Sequence, residues 1–134
     1  MDTLSSAERS VRMSRVKGKD TIPEMVVRRI AHRAGYRYRL HEKTLPGKPD
    51  LVFRKRKKVI FVHGCFWHRH EECRLARLPK SRLEFWIPKL EKNKRRDDLN
   101  LRKLSESGWN VLIIWECEIR QLDLLEQRIK EFLG

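Results

Sequence analysis

Apolar positions recur along this chain with two different periods, and the changes of period outline its elements. Ile22, Val26, Val27, Ile30 and Ala34 fall at helical spacing, and Gly35 stops the run. Thr21-Ile22-Pro23-Glu24 ahead of them has the form of a capping box with Pro in the first turn. Three strand candidates follow, Tyr36–His41, Asp50–Arg54 and Lys58–His63. The first alternates, whereas Val59-Ile60-Phe61-Val62 is continuously apolar, as in a strand covered on both faces. Ser81–Ser107 reads as a long helix with Leu83, Trp86, Ile87, Leu90, Leu101 and Leu104 as its apolar positions. Pro88 predicts a kink or a fresh start within it. Gly108 ends that helix, Trp109–Trp115 is a second buried strand, and Leu122–Leu133 is a final amphipathic helix. The order predicts an α/β fold, a mixed central sheet flanked by helices.

The chain has 134 residues without repeats or Gly/Ser linkers, which predicts one domain over residues 20–134. Residues 1–19 read as a basic arm, helical from Ser6 to about Val16. Lys plus Arg number 32 against 18 acids, for a net charge of +14, and residues 1–60 alone carry 17 basic and 6 acidic side chains. So uneven an excess points to a polyanion, nucleic acid first. The basic runs lack the bulky apolar face of a membrane-surface helix. No stretch approaches the roughly 18 apolar residues of a membrane span. Three cysteines, an odd number, argue against a secreted disulfide scaffold, so a soluble protein of the cytoplasm, working at the nucleoid, is expected.

Cys65, His70 and Cys73 form the pattern C-x4-H-x2-C, and Cys117 follows the last strand. Three thiolates and one imidazole suit a closed, structural Zn²⁺ site. The alternative is that small cysteines merely pack well. If the strand ending near Val62 neighbours the one ending at Trp115, Cys117 reaches the same loop.

Phosphodiester cleavage commonly uses carboxylates that hold Mg²⁺. Asp50 follows Pro46-Gly47-Lys48-Pro49 and opens an apolar strand, which places it at a sheet end; the alternative is a turn aspartate. Asp97 lies within roughly 40° of Leu90, Leu101 and Leu104 on the long helix, and a carboxylate within an apolar stripe needs a partner, functional or structural. Glu24 serves either the capping box or a site. His63 and His68 are the histidines of the loop not assigned to zinc, and either suits acid–base work. Phe66 and Trp67 between them, with Trp86, are either core or an exposed wedge that stacks on bases.

The blocks Leu45-Pro46-Gly47-Lys48-Pro49-Asp50-Leu51-Val52-Phe53 and Val59-Ile60-Phe61-Val62-His63-Gly64-Cys65-Phe66-Trp67-His68 resemble the very-short-patch repair endonucleases. The likeness continues through Arg82–Trp86, Lys92-Asn93, Arg96-Asp97 and Gly108–Cys117. It implies a restriction-endonuclease-like fold and an enzyme that nicks one strand of double-stranded DNA beside a T:G mismatch left by deamination of 5-methylcytosine; the small size, without an obvious dimerisation element, points to a monomer and hence to a single nick. By the same resemblance Asp50 is the central Mg²⁺ ligand, helped by the backbone carbonyl of Val62. His68 is the general base, with His63, Asp97 and Glu24 completing the cleft. Cys65, His70, Cys73 and Cys117 match the zinc ligands. Phe66, Trp67 and Trp86 match a DNA wedge, and the N-terminal arm, including Met13, embraces the other groove. Two features depart from the family: its members space the zinc histidine and the next cysteine one residue closer, and several place Thr where Val62 stands. The Glu-x-Lys of restriction enzymes is absent after Phe61, so histidine chemistry replaces the lysine. A double-strand restriction or homing-type endonuclease on the same scaffold, and a non-enzymatic zinc-stabilised DNA-binding module, are the competing readings.

Overall fold

The computed structural model describes residues 20–134; the expected basic arm, with Met13, lies outside them. Helix α1 spans Ile22–Arg33, and strands β1 (Arg39–Leu40), β2 (Leu51–Phe53) and β3 (Lys58–His63) follow. Helix α2 is Leu83–Glu106, strand β4 is Asn110–Trp115, and helix α3 is Leu122–Leu133. The sheet order is β1-β2-β3-β4, with β1–β2 and β2–β3 antiparallel and β3–β4 parallel. The protein is therefore a mixed α/β fold, in the element order that the periodicity predicts.

Alternation along the strands sends side chains to two cores. Leu51, Phe53, Ile60 and Ile114 meet Val27, Ile30 and Ala31 of α1 and Leu125, Ile129 and Leu133 of α3. On the other face Val52, Val59 and Phe61 meet Leu104 of α2 and Trp109. The continuous apolar run of β3 thus follows from its cover on both faces.

Three expectations are corrected. The strand expected over Tyr36–His41 shrinks to Arg39–Leu40, because Tyr36 and Tyr38 pack edge-on against Phe53 and their hydroxyls donate to the carbonyls of Gly134 and Arg28. The helix expected from Ser81 starts at Leu83 and runs through Pro88 without restarting. Pro88 lies early in the helix on an exposed face, where it removes a single backbone bond. The capping box is half formed. The Glu24 N–H donates to Thr21 Oγ1 at 3.4 Å, but the Glu24 carboxylate turns inward, away from the cap. Among the described residues no helix is long and apolar enough to cross a membrane.

Candidate active site

The polar groups gather beyond the carboxyl ends of the parallel pair β3–β4, the place where open α/β sheets leave a crevice. Asp50 enters this crevice from the Pro46–Pro49 loop. That loop packs tightly: at Gly47, with φ +76°, an added Cβ would lie 3.1 Å from the Phe61 ring and 3.2 Å from Asn100. Continuing the β2–β3 register by two residues sets Pro49, which has no N–H, opposite Val62. The Val62 N–H donates instead to Asp50 Oδ2 at 2.7 Å. The carboxyl of Glu24, from the first turn of α1, faces that of Asp50. Burial pushes the Asp50 carboxyl up to about 7, opposed by the Val62 N–H and reinforced by Glu24. Two adjacent, desolvated carboxyl groups make a donor set that suits a divalent cation.

On the other side of β3, His63 and His68 stack with ring centroids 3.8 Å apart. His68 Nδ1 lies 2.5 Å from Asp97 Oδ2. Burial lowers His63 to about 3, and the neighbouring His68 adds to the fall, so its ring is neutral. Its Nδ1 is buried and has no hydrogen-bond partner. His63, His68 and Asp97 present ligand-type atoms within 4.8 Å of one another. The apolar stripe of α2 therefore carries Asp97 to a histidine, as a carboxylate in that position requires.

Cys65, His70, Cys73 and Cys117 form a second convergent set within 4.8 Å. The parallel pairing of His63 with Trp115 brings Cys117 beside the loop, with its Sγ 3.5 Å from His70 Nδ1. Burial raises the Cys65 thiol far above its usual range, and a cation bound there would reverse that shift. Three thiols and one imidazole suit a tetrahedral metal ion. Arg69 and Glu72, on either side of His70, take left-handed φ of +54° and +52°, and the C-x4-H-x2-C loop turns there.

Phe66, Trp67 and Trp86 are each half-buried and pack edge-to-face, with centroids 5.2 to 5.9 Å apart. Leu83, Phe85 and Ile87, at the start of the same helix, remain about two-fifths exposed. The three rings are thus neither plain core nor a free pair; they form an apolar platform beside the histidines.

Several further residues of the site were given no role by the sequence. Arg28 and His41 both contact the Glu24 carboxylate, His41 at 2.7 Å. Asn93 donates to the Trp67 carbonyl at 3.4 Å, so Asn93 and Asp97, one helical turn apart, hold consecutive loop residues. Glu116 accepts from the Cys65 N–H at 3.0 Å, and Trp115 stacks on His70 at 4.2 Å. Only the fold brings these together. The helical phase that singles out Asp97 would also have found Asn93.

Residues 1–75 match the family model described as DNA mismatch endonuclease Vsr. The chain is 49% identical to the type II nicking enzyme V.XorIIP of Xanthomonas oryzae, over 98% of this chain and 96% of that protein. It is 38% identical to the type II nicking enzyme V.NmeAIP of Neisseria meningitidis, over 98% and 94% of the two chains. With the DNA mismatch endonuclease Vsr of Escherichia coli the identity is 38%, over 98% and 87%.

Proposed function

This chain belongs to the Vsr family of DNA endonucleases, and on that premise we propose that it is a Mg²⁺-dependent enzyme that nicks one DNA strand beside a T:G mismatch. One observation carries the reading: the end of β3 has a carboxyl pair, buried Glu24 and half-buried Asp50, on one side and an aspartate-held histidine, His68, on the other. A non-enzymatic DNA-binding module has no use for this arrangement, since carboxylates in a DNA-facing cleft repel phosphate.

Asp50 and the Val62 carbonyl would hold Mg²⁺, with Glu24 beside them; the Val62 carbonyl suits this because Pro49 opposite it offers no N–H. When bound, Mg²⁺ supplies Lewis-acid stabilisation of the phosphate and of the leaving oxygen. His68 takes the proton from the attacking water. Its Nδ1–H donates to Asp97, which fixes the tautomer and leaves Nε2 as the acceptor. His63, neutral and stacked on His68, holds that ring in place. Cys65, His70, Cys73 and Cys117 would hold Zn²⁺, which would close the loop that carries Phe66, Trp67 and His68 in a structural role. We place this chemistry on a restriction-endonuclease-like scaffold over residues 20–134, acting as a monomer in the cytoplasm, with residues 1–19 as a DNA-binding arm. Phe66, Trp67 and Trp86 are the wedge that opens the mismatched step.

The test is a set of labelled duplexes carrying T:G, C:G or T:A at one position, incubated with Mg²⁺. A nick confined to the T:G duplex is expected. Equal cutting of both strands of matched DNA would select the restriction-type reading, and no cutting of any duplex would end the proposal.

A further inference from the structure

The mechanism above leaves His41 and Arg28 without a role, yet both grip one of its carboxylates. Glu24 is only 2% exposed, and a carboxylate held that deep needs fixed partners. One is the Arg28 guanidinium, a helical turn further along α1. The other is His41, whose Nε2–H donates to Glu24 Oε2 at 2.7 Å. His41 follows β1 with φ +46°, a conformation that non-glycine residues adopt where local structure demands it. Its backbone N–H donates to the Asp50 carbonyl at 3.2 Å, and its ring stands 3.9 Å from Asp50 Oδ1. A single residue therefore ties Asp50 by backbone and Glu24 by side chain.

Asp20, Glu24 and His41 themselves offer ligand-type atoms within 4.8 Å. The Arg28 guanidinium lies among them, on Asp20 at 2.5 Å and 3.5 Å from His41 Nε2, so a second metal ion there would meet a fixed positive charge. The cluster is a clamp. The Tyr38 hydroxyl, donating to the Arg28 carbonyl at 3.2 Å, braces it from β1's side.

We propose that His41 is a positioning residue for the nicking reaction, setting the Glu24 carboxylate against Asp50, with Arg28 as the opposing jaw. This rests on the Mg²⁺-nuclease reading above. Groups that orient metal-site carboxylates typically matter by 10- to 100-fold in metal affinity or activity.

The experiment compares wild type, His41→Ala and His41→Gln as full chains. It reads the single-turnover nicking rate at saturating enzyme across a Mg²⁺ series, the duplex Kd without Mg²⁺, the zinc content, and the rise in Tm that Mg²⁺ produces without DNA. His41→Ala should nick roughly 10- to 100-fold more slowly and need more Mg²⁺. Its Tm should rise less with Mg²⁺, while Kd and zinc content stay at wild-type values. His41→Gln should recover most of the rate, because its amide can still donate to Glu24. A wild-type rate and Mg²⁺ dependence in His41→Ala overturn the proposal, as does a His41→Gln no better than the alanine variant. If wild type nicks nothing, the nuclease reading falls while the Tm arm still decides the clamp: an equal Mg²⁺-induced rise in wild type and His41→Ala overturns it.

Discussion

At the hairpin end of the sheet, between β2 and β3, four of the five basic side chains of Arg54 to Lys58 find partners within the chain. Arg56 donates to the Leu133 carbonyl at 2.9 Å and Lys58 to the Phe132 carbonyl at 2.6 Å, both in the last turn of α3. Lys57 reaches the Ser107 carbonyl at the end of α2 and lies over the Trp109 ring, while Arg54 pairs with Glu42. At the opposite end, around Asp50 and His63, carboxyl groups crowd one another and a buried ring nitrogen has no partner. Charge density is high at both ends. The hairpin neutralises helix carbonyls and completes itself, whereas on the proposed reading a cation and a substrate complete the carboxyl end of β3. Unsatisfied polarity in a buried place, rather than polarity as such, marks where chemistry belongs.

Removing the central carboxylate breaks the comparison most severely. Asp50→Ala should lower single-turnover cleavage by roughly 10³-fold or more, the scale of several kcal/mol of transition-state stabilisation. DNA binding should stay intact or tighten slightly, since a negative charge near phosphate is removed. Cleavage within about tenfold of wild type would remove Asp50 from the centre of the mechanism.

The metal loop comes next. Cys117→Ser should lower zinc content and reduce Tm by about 10 °C or more, because metal affinity of this kind is folding free energy. Purified wild type free of zinc by elemental analysis would show that the four residues hold no such ion. Cleavage should fall with zinc, since the same loop carries His68.

The wedge sharpens the comparison on the substrate's side. A T:G wobble stacks less securely than a Watson–Crick pair, so opening the step beside it costs less. Trp67→Ala should reduce cleavage of the T:G duplex by roughly ten- to a hundredfold, about 1–3 kcal/mol for one stacked aromatic. Binding to undamaged duplex should change far less. A variant that unfolds with no selective loss on T:G would make Trp67 a packing residue, as its edge contacts with Phe66 and Trp86 permit.

Which of these features were legible in the sequence follows from the range of the interactions that fix them. Strand β3 could be bounded at both ends, because burial on both faces leaves a continuous apolar run. Asp97 stood out because a charge in an apolar stripe conflicts with local periodicity, and its partner His68 resolves the conflict. Cys117 could be placed beside the Cys65–Cys73 loop once β3 and β4 were taken as neighbours, and they pair in parallel. Glu24 was ambiguous for a physical reason: its N–H serves the cap while its carboxylate serves the crevice, and spacing cannot separate the two. His41 was illegible, since its meaning depends on a left-handed turn and on a helix 17 residues away. The alternation over Tyr36–His41 misled because edge contacts with Phe53 imitate strand burial.

The smallest expected effect tests the self-sufficient end. Part of the chain's positive excess, which invites assignment to DNA, is held by the ends of α2 and α3. Cations at helix C-termini typically contribute about 0.3–1 kcal/mol, by satisfying carbonyls that have no intrahelical partner and by opposing the helix dipole. Arg56 also lies over the Tyr36 ring, 4.9 Å from its centroid. Arg56→Ala should therefore lower Tm by roughly 2–6 °C in a domain of this length. The nicking rate at saturating enzyme should not change. Nor should the slope of log K against log salt, which shifts by about 0.9 for each phosphate that is no longer neutralised. Deleting residues 1–18 gives the opposite pattern on the proposal that the arm grips DNA, a shallower slope and weaker binding to matched and mismatched duplexes alike. If Arg56→Ala flattens the slope by about 0.9 and leaves Tm alone, the hairpin faces the duplex, and the division between a structural and a functional end of the sheet fails there.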